Sequence, residues 1–183
     1  MMKYKELLYF LVHKEVRIKY RNSFFGFFWS LLEPLGLMVI YTIVFSLILG
    51  IDGRGGEKIE HYPLFILSGL IPWTFFNNAV RAGTKALSSN SSLIKKVYFP
   101  REIFPVTILL SNLVNFIPAF ALILLIALAF GHPIHWDKLA LLPAFLSLQS
   151  VFTLACMFLV SMLNVFYRDV EFITNLLMRA WMY

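Results

Sequence analysis

Few side chains of this sequence have the type and the spacing that catalysis or metal binding requires. The glycine-rich residues 50–58 lack the spacing of a phosphate-binding P-loop and predict a flexible turn. His132 and His135 fall in another turn, where solvated histidines are commoner than metal ligands. Cys156 is the one cysteine, which excludes an internal disulfide and a cysteine-ligated metal cluster. We therefore expect no catalytic, metal-binding or cofactor-binding residue on this chain.

One charged cluster, Arg168, Asp169 and Glu171, keeps an enzyme among the alternatives. A membrane enzyme that modifies lipids needs convergent acidic or histidine side chains at one membrane face. A salt-bridged turn explains Arg168 and Asp169 as well. The sequence thus favours a protein that is not an enzyme, with an integral membrane lipid-modifying enzyme as an alternative.

The composition of the 183 residues indicates a membrane protein. Hydrophobic residues make up 60% and charged residues 14%, against about 45–50% and about 25% in soluble domains. A soluble chain of this length has too little interior to bury so much apolar surface, and the composition also excludes disorder. The predicted fold class is an all-α, polytopic helical membrane protein.

Charged residues divide the chain into long uncharged stretches. A helix of about 20 residues crosses a hydrocarbon core about 30 Å thick, and residues 34–51, 61–80, 103–136 and 139–167 contain no Asp, Glu, Lys or Arg. We predict a single transmembrane domain over residues 1–183 with five recognisable transmembrane helices. Its parts are an N-terminal amphipathic interface helix, four spans and an incomplete fifth span, at residues 2–21, about 30–51, 62–82, 103–130, 139–166 and 172–183.

Lys and Arg alternate between the two ends of the predicted spans. They cluster before the first span and between the second and third, whereas the first and third loops carry few. This bias predicts a multi-pass path with a cytoplasmic N-terminus. The net charge of +6 therefore reports topology and does not indicate nucleic-acid binding. The basic helix at residues 2–21 is predicted to lie in the headgroup layer, with a plain positive-inside anchor as the alternative.

The uncharged spans carry aromatic and amide side chains. Trp73 lies past the midpoint of its span rather than at an interface, and Pro72 predicts a bend that aims it inward. Amides such as Asn112 and Asn115 often bridge helices, but together with aromatic rings they also suit a path for sugars. The predicted channel-lining residues, for which a lipid-facing position is the alternative, are Tyr41, Trp73, Phe75 and Phe76.

No complete span is expected to hold a carboxylate near its middle. A proton- or ion-coupled transporter usually keeps one there, because an intramembrane charge carries the coupling. The chain therefore offers neither a nucleotide site nor an ion-coupling site. If it moves a solute uphill, we expect the energy to come from a partner.

The predicted cytoplasmic loop at residues 81–101 has more apolar residues than a solvated loop needs. Residues 90–92 offer helix N-caps, and Pro100 ends the segment. A short helix there is expected to dock another protein, and the alternative is a helix that lies against the membrane. The predicted docking residues are Ser91, Leu93, Ile94, Val97, Tyr98 and Phe99.

Four motifs in order make the chain resemble the membrane permeases of bacterial ABC exporters for surface polysaccharides, the O-antigen and teichoic-acid export class of type-2 ABC permeases. Residues 69–75 (GLIPWTF) resemble the signature of the second span, residues 93–105 the loop into the third, and residues 164–170 (NVFYRDV) the turn after the fourth. The first motif covers residues 17–35, with anchors at Arg17, Tyr20, Arg21, Ser23, Gly26, Trp29 and Pro34. Each motif alone is weak, whereas the four together are specific.

The resemblance implies a transport subunit rather than an enzyme. The permease would form a homodimer in the bacterial cytoplasmic (inner) membrane and bind two copies of a separate ATP-binding subunit, which would hold ATP and Mg. Residues 2–21 would be the interface helix, and the coupling helix would lie within residues 81–99. The substrate would be a polysaccharide on a polyprenyl pyrophosphate lipid, with membrane lipid as a further partner. Export of a drug or a lipid by a related permease is the alternative.

The diphosphate of that carrier would lie at headgroup depth. Arg17, Lys19 and Arg21 are predicted to contact it, because Arg presents paired donors to phosphate oxygens. Anchoring to lipid headgroups is the alternative. Family members usually have six spans, whereas this sequence ends within a fifth, so a truncated chain is expected.

Overall fold

The computed structural model describes residues 5–21, 23–48, 50, 53–54, 57–58, 61–96, 100–131 and 136–182. Within these ranges the chain is helical apart from turns and one antiparallel hairpin of two-residue strands, β1 (Gly53–Arg54) and β2 (Glu57–Lys58). The prediction of an all-α fold is confirmed. The α-helices are α1 (Lys5–Lys19), α2 (Trp29–Thr42), α3 (Tyr62–Thr84), α4 (Ser91–Lys96), α5 (Ile103–Ala129), α6 (Trp136–Leu139), α7 (Leu142–Phe166) and α8 (Val170–Trp181).

Four helical segments of the described chain are long and apolar enough to cross a membrane, so the polytopic prediction is also confirmed. The first begins with a 3₁₀ turn, continues through α2 and ends in a π-helical turn (Ile43–Ile48). Helix α8 has 12 residues, fewer than the about 20 that a crossing needs. The four spans are Gly26–Ser46, Tyr62–Thr84, Ile103–Ala129 and Asp137–Phe166.

One expectation about these spans is wrong. The first span is Gly26–Ser46, and Glu33 lies inside it, near its middle. The predicted span of about residues 30–51 also contains Glu33, whereas the expectation that no span holds a central carboxylate was drawn from the uncharged stretch that begins at Pro34. A carboxylate is thus present within a span, and its surroundings decide what it does.

The second span, α3, is the centre of the bundle. It packs against the first, third and fourth spans and against α8. Leu67, Ala79 and Val80 on this helix are fully buried. Near its end α3 comes so close to the fourth span that a Cβ atom on Gly83 would lie 2.7 Å from Cγ of Met157. A residue without a side chain is therefore required at position 83.

Helix α1 packs part of its apolar face against the bundle. Leu7, Leu8 and Leu11 pack against the hydrophobic core, and the helix contacts the third span. Tyr9 and Phe10 remain exposed. These contacts attach α1 to the bundle, and its position in the headgroup layer stays a prediction.

Gly83 and Gly69 provide a matched test of this packing, because both lie in α3 and nothing lies within 4 Å of a Cβ built on Gly69. Gly83→Ala is expected to lower the free energy of unfolding relative to Gly69→Ala by about 1–3 kcal/mol, the usual cost of overpacking. The gain in helix propensity is common to both variants and cancels. Equal stabilities in denaturant titrations of the detergent-solubilised protein would contradict the close approach.

Candidate substrate and coupling sites

A basic groove runs along α1 and the turn that follows it. Lys14, Arg17 and Arg21 are spaced three and four residues apart, which places them on one side of the helix. Phe10 and Phe27 supply apolar walls, and the groove encloses about 740 Å³. Among the described residues none of those lining it is acidic. The groove therefore suits a diphosphate that is attached to an apolar chain.

The predicted trio of basic residues is divided by the structure. Arg17 and Arg21 lie in the basic groove, whereas Lys19 lines separate cavities together with Glu33. Burial of its ammonium group lowers the pKa of Lys19, and the charge of Glu33 acts in the opposite direction. Lys19 thus lines the same cavities as Glu33, whereas Arg17 and Arg21 line the groove.

Tyr20 joins the end of α1 to the third span. Its hydroxyl donates a hydrogen bond of 2.8 Å to Oδ1 of Asn115, and its ring packs edge-on against Phe27 at 5.5 Å. Burial raises the pKa of this phenol, the charge of Glu33 raises it further, and a hydrogen bond with Ser30 opposes the shift. Tyr20 therefore stays neutral and keeps its proton for Asn115.

An aromatic groove of about 380 Å³ lies between the first and second spans and the end of α8. Tyr41 and Trp73, two of the four predicted channel residues, both line it. The ring of Tyr41 stacks on Phe45 at 5.9 Å, and its hydroxyl donates to Sδ of Met182 at 3.4 Å. The other aromatic residues of this groove are Tyr62 and Phe65.

Phe75 and Phe76, the other two predicted channel residues, lie in the core of the bundle. Phe75 is 4% exposed and packs against Phe116 of the third span, with ring centroids 5.5 Å apart. Phe76 is 7% exposed and contacts Phe152 of the fourth span and Trp181 of α8 at 5.7 and 5.8 Å. In this structure they fix the second span against its neighbours.

The predicted docking segment is only partly described. Ser91 and Lys95 on α4 are exposed, whereas Leu93 and Ile94 are half-buried and pack against the hydrophobic core. Val97, Tyr98 and Phe99 lie outside the described residues. The visible surface of α4 is therefore polar, and its apolar side chains hold the segment to the bundle.

Two polar contacts that were not predicted from the sequence join the end of α3 to α8, the helix that follows the fourth span. Arg81 donates from Nε to Oδ1 of Asn175 at 2.6 Å. Lys85 forms a salt bridge of 2.6 Å with Glu171. The sequence did contain a signal for these contacts. Arg81 and Lys85 are four residues apart, as are Glu171 and Asn175, so each pair lies on one face of its helix. We call these two contacts the α3–α8 ladder.

Asn164 reinforces the ladder from the end of the fourth span. Its amide nitrogen donates to the hydroxyl of Ser88 at 3.3 Å, and the residue is buried. Asn164 opens the motif at residues 164–170, and Ser88 precedes α4. Contacts on both sides of the turn thus connect the segment before α4 to the fourth span and the end of α3 to α8.

Comparisons with known proteins agree with this architecture. A family model for ABC-2 type transporters matches residues 6–183. The O-antigen export system permease protein RfbA of Myxococcus xanthus is 33% identical over 180 residues, which are 98% of this chain and 66% of that protein. A protein of the same name from Klebsiella pneumoniae is 28% identical over 166 residues, 91% of this chain and 62% of the relative.

The polysialic acid transport protein KpsM of Escherichia coli matches a shorter region. It is 29% identical over 80 residues, 44% of this chain and 30% of that protein. The chain thus spans just under two thirds of the RfbA relatives, 66% and 62%.

The pairing of Lys19 with Glu33 predicts a change in amine reactivity. Glu33→Gln removes the negative charge that favours the ammonium form, so more neutral amine is present at a given pH and Lys19 reacts severalfold faster. The measurement is peptide-mapped labelling with an amine-reactive reagent between about pH 8 and 10, near the usual lysine range. Lys5, at the far end of α1, serves as the internal reference. An unchanged Lys19 to Lys5 ratio would contradict the pairing.

Proposed function

Because the chain belongs to the ABC-2 type transporter family, we propose that it is the membrane permease for ATP-driven export of a lipid-linked surface polysaccharide. The observation that carries this proposal is the basic groove at the end of α1. Arg17 and Arg21 offer forked donors to phosphate oxygens, and Phe10 and Phe27 cover an apolar chain beside them. Similarity to O-antigen export permeases over 98% of the chain supports the same substrate class.

The permease works as a homodimer with a separate ATP-binding subunit, in this proposal. That subunit holds ATP and Mg, and the permease holds no cofactor. The protein lies in the bacterial cytoplasmic membrane with its N-terminus inside, as the distribution of Lys and Arg favours. The basic groove and the α3–α8 ladder then both belong to the cytoplasmic side, where the lipid carrier and the ATPase arrive.

The aromatic groove supplies a second part of the path. Tyr41 and Trp73 present ring faces on which sugars stack. The described residues that line this groove are uncharged, so no ion pair would retain the substrate there. Phe75 and Phe76 act indirectly, because they set the position of the second span that carries Trp73. Apolar drugs would also fit such rings, so the basic groove is what favours a phosphate-bearing lipid over a drug.

Coupling to ATP hydrolysis passes through α4, in this proposal. The ATPase contacts the exposed side of the segment from Ser91 to Phe99, and the α3–α8 ladder carries the displacement to α8. Helix α8 reaches the aromatic groove through Met182, which follows it. A movement at the cytoplasmic surface thus changes the wall of the sugar path.

Charge reversal tests the substrate assignment. Arg17→Glu with Arg21→Glu is expected to abolish export, because the groove would then repel a diphosphate. The readout in the native host is polymer at the cell surface against lipid-linked polymer retained inside. Lys5→Glu, on the same helix but outside the groove, is the matched control and should export normally. Normal surface polymer from a correctly inserted double variant would contradict the proposal.

Exchange of charges tests the ladder. Lys85→Glu places two carboxylates together and should reduce the polysaccharide exported per ATP hydrolysed, whereas Lys85→Glu with Glu171→Lys should restore it. The pair is partly exposed, so folding should change by only about 0–1 kcal/mol. A single variant with normal coupling, or a double variant no better than the single, would show that the ladder does not transmit motion.

A further inference from the structure

Glu33 is a carboxylate within the first span, and on the isolated protomer its side chain is exposed. A charge in hydrocarbon costs several kcal/mol, so such residues face water, polar partners or a substrate path. The proposed diphosphate contacts in the basic groove do not include Glu33. The cavities and side chains around Glu33 therefore indicate its role.

Three cavities meet at Glu33, and each is also lined by Lys19. One is enclosed, measures about 40 Å³ and reaches Asn78, Asn112 and Asn115, which is room for about three water molecules. The second, about 490 Å³, extends along Trp29 and Gly36 of the first span. The third, about 410 Å³, extends towards Glu15 and Ser111. We call this connected set the Glu33 crevice.

The side chains of the crevice match a polyhydroxylated ring. Amides donate and accept hydrogen bonds, a carboxylate accepts from neighbouring hydroxyl groups, and an ammonium donates. Tyr20 and Trp29 add aromatic rings on which a pyranose stacks. Ser30 and Asn112 are only 8% and 9% exposed. Their donors are used within the protein, because Ser30 donates to the backbone carbonyl of Phe27 and Asn112 to that of Ile108. The amide oxygen of Asn112 can still accept a hydrogen bond from a sugar hydroxyl.

The crevice adjoins the basic groove through two residues, Tyr20 and Ile18, and Ile18 lines the groove and the third cavity. Tyr20 lines the groove and two of the three cavities of the crevice. Its bond to Asn115 fixes the wall between them. A lipid diphosphate held by Arg17 and Arg21 therefore directs whatever is attached to it towards Glu33.

We propose that the Glu33 crevice is a binding subsite for the sugar residue that is joined directly to the carrier diphosphate. This inference rests on the proposed function, and it adds a specificity site that recognises the first sugar rather than the phosphate. Glu33 and Asn78 hydrogen-bond the sugar hydroxyls, and Trp29 covers one face of the ring. The subsite selects glycosylated carrier over carrier that has no glycan.

A comparison of two ligands distinguishes binding at the subsite from binding in the basic groove. Binding of polyprenyl diphosphate and of the same lipid bearing one sugar is measured on the full-length permease with its ATP-binding subunit in nanodiscs. Glu33→Gln is expected to weaken binding of the glycosylated lipid about tenfold to hundredfold, the loss of one hydrogen bond to a charged group, and Asn78→Ala about twofold to tenfold, the loss of one to a neutral amide. Binding of the lipid without sugar should stay within about twofold, which also shows that the variants are folded.

A steric variant gives an independent arm. Gly36 lines the crevice and nothing lies within 4 Å of a Cβ built there, so Gly36→Leu fills the space without a clash inside the protomer. This variant should also weaken binding of the glycosylated lipid and leave binding of the lipid without sugar unchanged. The control is Glu6→Gln, which changes an exposed carboxylate on α1 and should alter neither affinity.

Each outcome decides between the two proposals. Equal affinity of the unaltered protein for both lipids, or equal weakening of both by Glu33→Gln, would overturn the subsite and leave the diphosphate groove standing. An unaltered protein that binds neither lipid would overturn the proposed function and the subsite with it. Selective loss of the glycosylated lipid in all three variants is the result that the subsite predicts.

Discussion

The close packing of the second span against every other span is the constraint on which the remaining structure depends. In a hydrocarbon environment helices gain little from burying apolar surface, so close van der Waals contact and buried hydrogen bonds hold them together. Gly83 against Met157 provides such a contact, and the fully buried Ala79 and Val80 continue it. Helix α3 then turns a different side towards each neighbour.

Three of the candidate sites take side chains from this central helix. Trp73 lines the aromatic groove, Asn78 lines the Glu33 crevice, and Arg81 begins the α3–α8 ladder. These residues are less than three helical turns apart at about 3.6 residues per turn. A rigid displacement of α3 would therefore move the walls of the aromatic groove, the crevice and the ladder together. Under the proposed function, this arrangement would link the cytoplasmic surface to the space between the spans.

Polar groups between the spans form pairs rather than isolated charges. Tyr20 bonds to Asn115 of the third span, and Gln149 of the fourth span donates to the backbone carbonyl of Pro72 at 2.8 Å. Lys19 and Glu33 line the same cavities. Such contacts keep amides from facing lipid without a hydrogen-bond partner.

The fold class could be predicted from the sequence because uncharged stretches and the alternation of Lys and Arg depend on the membrane itself. The expectation of spans without a central carboxylate failed at Glu33, because it was drawn from the uncharged stretch after Glu33 although the predicted span of about residues 30–51 contained this residue. Whether Phe75 and Phe76 point into the core or into a channel depends on which helices pack against each face of α3. The sequence of one span does not specify those neighbours. The ladder needed the pairing of two separate helices, although the spacing of Arg81 with Lys85 and of Glu171 with Asn175 was visible.

Reconstituted transport tests the central claim most directly. The full-length permease and its ATP-binding subunit are placed in proteoliposomes that contain a fluorescent polyprenyl diphosphate oligosaccharide, and a glycosidase is added outside. The account predicts that hydrolysable ATP moves the glycan inside, where the glycosidase does not cleave it, and that an ATPase-inactive subunit leaves it exposed. Full cleavage of the glycan during active ATP hydrolysis, with a labelled drug or phospholipid carried instead, would contradict polysaccharide export.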